Sequence, residues 1–452
     1  MARAFVQWLP VEMAVLGLFE FVFSFLLIVA MLMGGGPLLA SGSGGLTRDC
    51  LLLSAMLAVT IAGVAATIGL YRPDVCLDPR RLLVPCVVAA FLAFSAILLV
   101  SGAYRIALGV DHIVWLARLL AIWLMGAMAL RFALCMAARW MPVTRRVAII
   151  GVADRVDALR RRLSARPHGL FEPVPAAAGL VPPGGPQTVR DGRVWGVVIA
   201  GEEGLSPPDR AALLARKSVG TPVFTELAFQ ERHLGRVALD AIDETWFLTA
   251  DGFRDSTVSR AVKRVFDIGF SLFLLVLTLP LMAVTALAIR LDSPGPVLYR
   301  QVRTGLFGAS FTLFKFRSMA VDAEAAGAPQ WARVRDPRIT RSGAFIRATR
   351  IDELPQLINV LRGEMSLIGP RPERPMFVAE LSQAIPFYNH RERVKPGLTG
   401  WAQVNYPYGA SVEDAREKLA YDLYYVKNRG VLLDLMILFS TVRVILFREG
   451  AR

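Results

Sequence analysis

The chain has 452 residues, 54% of them hydrophobic, and a mean hydropathy of +0.47. That balance excludes an ordinary soluble enzyme, and the long polar stretches exclude a chain that is membrane-embedded throughout. Lys and Arg number 51 against 37 Asp and Glu, a formal charge of +14, which suits anionic headgroups, phosphorylated substrates or nucleic acid without choosing among them.

The amino terminus carries only Arg3 ahead of its apolar run and has no small-residue cleavage site, so it reads as a retained anchor rather than a signal peptide. Residues 11–33, 51–71, 82–101 and 114–137 are each long and apolar enough to cross a bilayer, for which about 20 residues suffice. Short polar links between them predict an antiparallel four-helix transmembrane bundle over residues 1–140. Arg3, Arg72, Arg80, Arg81, Arg139, Arg145 and Arg146 fall on one side of it, and Arg48 and Arg105 on the other; this puts both ends on the cytoplasmic face of the membrane. Glu20 and Arg131 lie within the helices, where they either pair or snorkel separately to the headgroups. Cys50, Cys76, Cys86 and Cys135 lie in or beside apolar segments without ligand spacing, so neither a zinc site nor a disulfide framework is indicated.

Residues 147–151, 194–200 and 221–225 read as short buried strands between helical or loop segments, giving a small α/β, Rossmann-like cytoplasmic domain over residues 141–255. Gly151 ends a strand, but Val152-Ala153-Asp154-Arg155 supply none of the further glycines that let a pyrophosphate approach. A folded spacer or regulatory domain is the preferred reading. Pro182-Pro183-Gly184-Gly185-Pro186 marks a loop within it.

Lys263-Arg264-Val265-Phe266-Asp267 leads into the apolar run 268–289, with Pro280 at its centre. By length this is a fifth membrane helix, but proline removes a backbone hydrogen bond and bends the chain. Cations flank both ends, which favours a re-entrant element returning to the cytoplasmic face over a spanning one. Carbonyls freed at the bend would need internal partners, Thr278 among them.

Polar clusters fill the remainder. Lys315 and Arg317, followed by Asp322 and Glu324, combine cations and carboxylates as a diphosphate and divalent-metal site does, and a carboxylate can attack phosphorus; a helix start with acids in its first turn is spelled the same way. Then come Asp336-Pro337-Arg338, Arg347, the run from Asp352 and Glu353 to Leu357, and Gly369-Pro370-Arg371-Pro372. Asp352 could equally cap the following helix. Arg371, between two prolines of fixed φ, is either a rigidly presented phosphate ligand or a surface residue of a turn.

Taken in order, these residues resemble the bacterial sugar transferase family, the polyprenyl-phosphate hexose-1-phosphate transferases. The likeness runs from about Lys263 to the carboxyl terminus, through Tyr299-Arg300-Gln301 with Arg303 and Gly305, residues 315–319, 352–357 and 366–372, and Lys395-Pro396-Gly397-Leu398-Thr399-Gly400-Trp401. The four helices and the α/β domain ahead of these motifs are similar to the long form of the family, and Tyr421-Asp422-Leu423-Tyr424-Tyr425 to its exopolysaccharide-associated branch. The resemblance implies a mostly helical catalytic domain over residues 256–452 with a re-entrant helix at 266–291. It also implies a ping-pong reaction with Mg²⁺, or Mn²⁺ in its place: Asp322 attacks a UDP-sugar, UMP leaves, and the sugar-1-phosphate passes to undecaprenyl phosphate. Asp322 and Glu324 are then the catalytic and metal-binding pair. Lys315, Arg317, Arg338, Arg347, Asp352, Glu353 and Arg371 serve the substrate phosphates, while Lys263, Arg264 and Pro280 form the membrane hairpin. Ala323 separates Asp322 from Glu324, whereas small family members have two adjacent acids, so Glu324 is the weaker transfer.

A glycosyltransferase moving the sugar without its phosphate would release UDP instead, and a non-enzymatic membrane scaffold would release no nucleotide. Nucleic acid is poorly served, because the cations are scattered among carboxylates and membrane flanks. Membrane lipid is an expected partner, a homo-oligomer is compatible with the sequence, and neither the sugar nor the task of the middle domain can be read from these residues.

Overall fold

Long runs of Leu, Ala, Val and Met satisfy their backbone groups internally as helices, and the computed structural model contains four of them at the amino end: α1 (Val11–Met33), α2 (Arg48–Ile68), α3 (Pro79–Ala103) and α4 (Val110–Trp140). The structure describes residues 11–33, 48–71, 79–103, 110–140, 144–165, 170–175, 194–253, 256–321, 338–407, 409 and 411–447. It divides into two compact units, Met1–Leu234 and Gly235–Arg452.

In the first unit Leu18, Phe19 and Leu26 are exposed on α1, while Gly126 of α4 leaves room for the ring of Phe23, as small residues do where membrane helices meet. Glu20 and Arg131 are both buried, and Arg131 Nη2 donates to Glu20 Oε2 at 2.8 Å. They pair rather than snorkel apart.

The same unit holds β1 (Arg145–Gly151), α5 (Ala153–Ser164), β2 (Phe171–Val174), β3 (Gly196–Ala200), α6 (Pro207–Ser218) and β4 (Val223–Thr225). The strands form one parallel sheet in the order β2-β1-β3-β4. Strand β2 escapes a reading of pattern, being four residues that include Pro173. Gly151 (φ +138°) and Gly204 pack backbone against backbone: a Cβ on Gly204 would lie 2.6 Å from the Gly151 carbonyl carbon. The glycines at this end of β1 and β3 thus serve chain packing.

The second unit begins at Gly235, ahead of the boundary expected at 255–256. The reason is long-range: Val237 N donates to the Ala420 carbonyl, Trp401 Nε1 to the Gly235 carbonyl, and Arg236 Nη2 to Glu417 Oε1 at 3.0 Å. Its elements are α7 (Thr257–Asp292), the hairpin β5 (Leu298–Thr304) and β6 (Ser310–Phe316), α8 (Arg341–Ala348), α9 (Gln356–Arg362), β7 (Ser366–Ile368), α10 (Pro375–Ala384), β8 (Gly397–Thr399), α11 (Val412–Asn428) and α12 (Val431–Phe447). Strands β7 and β8 pair in parallel. A Cβ on Gly397 or Gly400 would overlap the backbone of Gly369, which explains the glycines in both of those motifs.

Four helices among the described residues are long and apolar enough to cross a membrane, namely Val15–Met33, Cys50–Ile68, His112–Ala133 and Thr257–Asp292; the described apolar part of α3 is the shorter Val84–Ser95. Helix α7 continues through Pro280, a path of about 54 Å at about 1.5 Å per residue. Thr278 Oγ1 donates to the Leu274 carbonyl, one turn back, and not to the Val276 carbonyl that proline leaves unpaired. Leu272, Phe273, Val276, Leu277, Leu279, Val284 and Leu287 are exposed, while both ends are held by the rest of the unit. Arg264 donates to the Val360 and Leu361 carbonyls. At the far end Asp292 Oδ2 accepts from Ser342 N and Oγ, and Ile289 packs with Phe316 and Ile346.

Candidate active site

Strand pairing sets the first wall of the site. In the β5–β6 hairpin Tyr299 lies opposite Lys315 and Gln301 opposite Leu313, so Tyr299, Gln301, Arg303 and Lys315 share one face of the ribbon. Gln301 Nε2 donates to Tyr299 Oη (3.1 Å) and Arg303 Nη2 to Gln301 Oε1 (2.7 Å). Asn359 ties the hairpin to α9: it accepts from Phe314 N (3.1 Å) and donates to the Thr312 carbonyl (2.7 Å).

The opposite wall is the short 3₁₀ turn Ile351–Glu353, entered through Arg350 in the left-handed region (φ 60°, ψ 14°). A non-glycine residue there is strained, and it carries Asp352 and Glu353 inward, each 8% exposed. Glu353 Oε1 accepts from Arg371 Nη2 at 2.7 Å and from Arg350 Nη1 at 3.3 Å, with Lys315 Nζ at 3.9 Å. Burial alone would raise the Glu353 pKa, but Arg371, Lys315 and Arg350 outweigh it and hold the carboxylate ionised well below its usual range. Asp352 is pushed the other way, by burial and then by the charge of Glu353, with Lys315, Arg371 and Arg347 opposing. Burial lowers Lys315 to about 8.

Two buried polar atoms here have no hydrogen-bond partner among the described residues, Asp352 Oδ1 and Gln356 Nε2. Buried polar atoms are ordinarily paired, and these two stand one helical turn apart. A buried carboxylate oxygen left unpaired among the described residues and surrounded by cations has the chemistry to attack the phosphorus of a phosphate brought to it.

Of the residues singled out from sequence, Lys315, Arg347, Asp352, Glu353 and Arg371 meet here. Arg317 does not: its Nη1 donates to the Pro294 carbonyl (2.6 Å) and its Nη2 to the Ser293 carbonyl (2.7 Å), closing the turn after α7. Gly295 (φ +121°) is glycine because a Cβ would overlap that guanidinium. Arg338 contributes its carbonyl to Ala320 N, beside the start of α8. Asp322 and Glu324 lie outside the described residues. Lys263 and Arg264 bind protein groups, Lys263 through Asp434 at 2.7 Å. Reading the sequence passed over Arg350 and Gln356. Gln356 stood within a quoted motif, but Arg350 had no local signal beyond preceding it.

The profile of the family described as Bacterial sugar transferase matches residues 258–448, within the second unit. The chain is 45% identical over 231 residues to the UDP-N-acetylgalactosamine-undecaprenyl-phosphate N-acetylgalactosaminephosphotransferase of Aeromonas hydrophila, covering 51% of this chain and 54% of that protein. It is 46% identical over 194 residues to the undecaprenyl-phosphate glucose phosphotransferase of Komagataeibacter xylinus, covering 42% and 36%. With the exopolysaccharide production protein PSS of Rhizobium leguminosarum bv. phaseoli it shares 44% over 190 residues, 40% of this chain and 93% of that one. The chain therefore spans about half the length of the first of these proteins and about a third of the second, but nearly all of the third.

Proposed function

The chain belongs to the bacterial sugar transferase family, and from that membership we propose that it transfers hexose-1-phosphate from a UDP-sugar to undecaprenyl phosphate, yielding UMP and undecaprenyl-diphosphate-sugar. The observation carrying this reading is the buried Asp352–Glu353 turn among Lys315, Arg347, Arg350 and Arg371, with Asp352 Oδ1 unpaired. Both substrates are phosphate anions that repel a carboxylate unless cations offset their charge.

On this geometry the nucleophile is Asp352. Its oxygen attacks the β-phosphorus; the bond from that phosphorus to the bridging oxygen breaks, and the electron pair leaves with UMP. An oxygen of undecaprenyl phosphate then attacks the same phosphorus and expels the Asp352 carboxylate. Glu353, fixed by Arg371 and Arg350, keeps Lys315 and the guanidiniums in place, and these hold the phosphate oxygens. The unpaired Asp352 oxygen is also the hard donor that Mg²⁺ takes: Asp352, with Asp322 and Glu324 as further candidates, would hold it. When bound, that ion would offset diphosphate charge.

Helix α7 is read as re-entrant because one folded unit binds it through both Arg264 and Asp292, which supports both ends lying at one membrane face. Flanking cations favour the cytoplasmic face of the inner membrane. Likeness to the exopolysaccharide production protein of Rhizobium supports exopolysaccharide synthesis as the process served, and on this reading the transfer is its initiating step.

The test is to incubate the purified full chain with undecaprenyl phosphate, Mg²⁺ and UDP-glucose, UDP-galactose or UDP-N-acetylgalactosamine. UMP is expected from at least one donor, and mass spectrometry should find the phosphosugar on Asp352. UDP as product would assign a glycosyltransferase, no nucleotide at all a scaffold, and an adduct on Asp322 would move the nucleophile.

A further inference from the structure

Arg264 and Asp267 stand three positions apart on α7, hence on one face of it, and each holds a different arm of the candidate site. The Arg264 guanidinium donates to the carbonyls of Val360 (2.6 Å) and Leu361 (2.7 Å) in the last turn of α9, where the Val360 carbonyl also accepts from Gly363 N and side-chain donors supplement the sparse helical bonding. Gly363, left-handed at φ +86°, ends the helix there and leaves space beside the guanidinium. The other end of α9 continues from the turn that bears Asp352 and Glu353.

Asp267 is 3% exposed and accepts from Ser366 Oγ and Leu367 N, both at 3.1 Å. It thereby fixes β7, which leads through Gly369 and Pro370 into Arg371. Tyr425 steadies the end of that strand, its hydroxyl donating to the Ile368 carbonyl at 3.0 Å. Both Nη atoms of Arg264 are thus directed at backbone of the folded unit.

We infer that Arg264 and Asp267 are positioning residues: together they form a two-pronged clamp on the membrane helix that keeps the Asp352–Glu353 turn and Arg371 in register. The inference rests on the proposed phosphosugar transfer for its kinetic consequence, while the clamp itself is a structural statement. Reacting groups displaced by about 1 Å lose on the order of 100-fold in rate, so removing a prong should act on kcat and leave lipid binding alone.

The experiment compares Arg264→Gln, Arg264→Lys, Asp267→Ala and Asp267→Asn in the full chain, in vesicles of phosphatidylglycerol and phosphatidylethanolamine. Three quantities are read: vesicle association, kcat and KM for UMP release, and amide hydrogen exchange over residues 350–372. Arg264→Gln and Asp267→Ala should each lower kcat about 100-fold, speed exchange in that segment, and leave vesicle association and acceptor KM within about twofold. Arg264→Lys, which can still donate to one carbonyl, and Asp267→Asn, whose amide oxygen can still accept from Leu367 N, should recover about a tenth or more of the wild-type rate. Unchanged exchange and kcat in Asp267→Ala would overturn the clamp, as would an Arg264→Gln defect confined to vesicle association and acceptor KM. If Arg264→Gln does not fold, the contrast between Asp267→Ala and Asp267→Asn carries the test. A wild type that releases no UMP would sink the functional reading alone, and unchanged exchange in Asp267→Ala would still sink the clamp.

Discussion

Arg391 and Glu353 are both buried ions of the second unit, yet their surroundings are built to different ends. Arg391 engages all three of its nitrogens: Nε donates to Asp422 Oδ2 at 3.0 Å, Nη1 to the Tyr388 hydroxyl at 2.8 Å, and Nη2 to the Arg371 carbonyl at 2.8 Å. Burial alone would lower its pKa, but Tyr388 and Asp422 raise it above the ordinary guanidinium range. Burial also pushes Asp422 up, against the opposing charge of Arg391, and two guanidinium donors meet one of its oxygens. Around Asp352 and Glu353 the balance is unequal. Lys315, Arg347, Arg350 and Arg371 face two carboxylates, and one carboxylate oxygen has no partner among the described residues. A closed, matched network stabilises a fold when it is kept whole; an unmatched one costs stability and leaves room for an anion.

The sharpest way to break this contrast is Asp352→Asn. UMP release should fall by about 1,000-fold or more, the scale seen when a nucleophile is removed, and by more than in Asp322→Asn. Because burial and Glu353 raise the Asp352 pKa in the folded chain, its charge is unfavourable there, so Asp352→Asn should unfold at the same or a higher temperature. A drop in melting temperature would make Asp352 part of the scaffold. Arg371→Lys comes next. A lysine cannot reproduce the guanidinium fork held by Pro370 and Pro372, and turnover should drop about 100-fold with little change in melting.

Asp422→Asn tests the closed network. It leaves Arg391 without its counter-ion and should cost about 3 kcal/mol, visible as earlier thermal unfolding, while turnover per folded molecule falls less than in either site variant. Equal stability would mean that the two clusters are not different in kind. The smallest effect is on pH dependence. With Lys315 lowered to about 8, its positive charge is present below that pH and lost as pH rises through it, so the rate should fall about twofold between pH 7 and 8. Lys315→Arg should move that limb upward, since guanidinium keeps its proton.

Much of the fold was legible because its signals are local. The amino-terminal helices follow from apolar runs of bilayer length, and residues 147–151 read as a strand because β-branched and small residues crowd there. Pairing of Glu20 with Arg131 was foreseeable too, as an ion in hydrocarbon needs a counter-ion. Strand β2 was not, since Phe171–Val174 becomes a strand only by lying beside β1. Within the site the signal divided. Two adjacent acids stand at Asp352–Glu353, but the resemblance was carried onto Asp322 and Glu324, which Ala323 separates. Only tertiary contacts distinguish Lys315 and Arg371, which meet Glu353, from Arg317, which closes a turn on backbone carbonyls.

By itself, then, the order of residues determined the membrane module, the amphipathic stretches and the set of motifs that marks the family, since each depends on neighbours within a few turns of chain. Tertiary structure decided which cations face which carboxylates, where the second unit begins, and that Arg264 and Asp267 hold α9 and β7. Those outcomes depend on desolvation and on contacts between residues as far as 166 and 181 positions apart, and electrostatic energy is set by distance and burial, which no local spacing encodes.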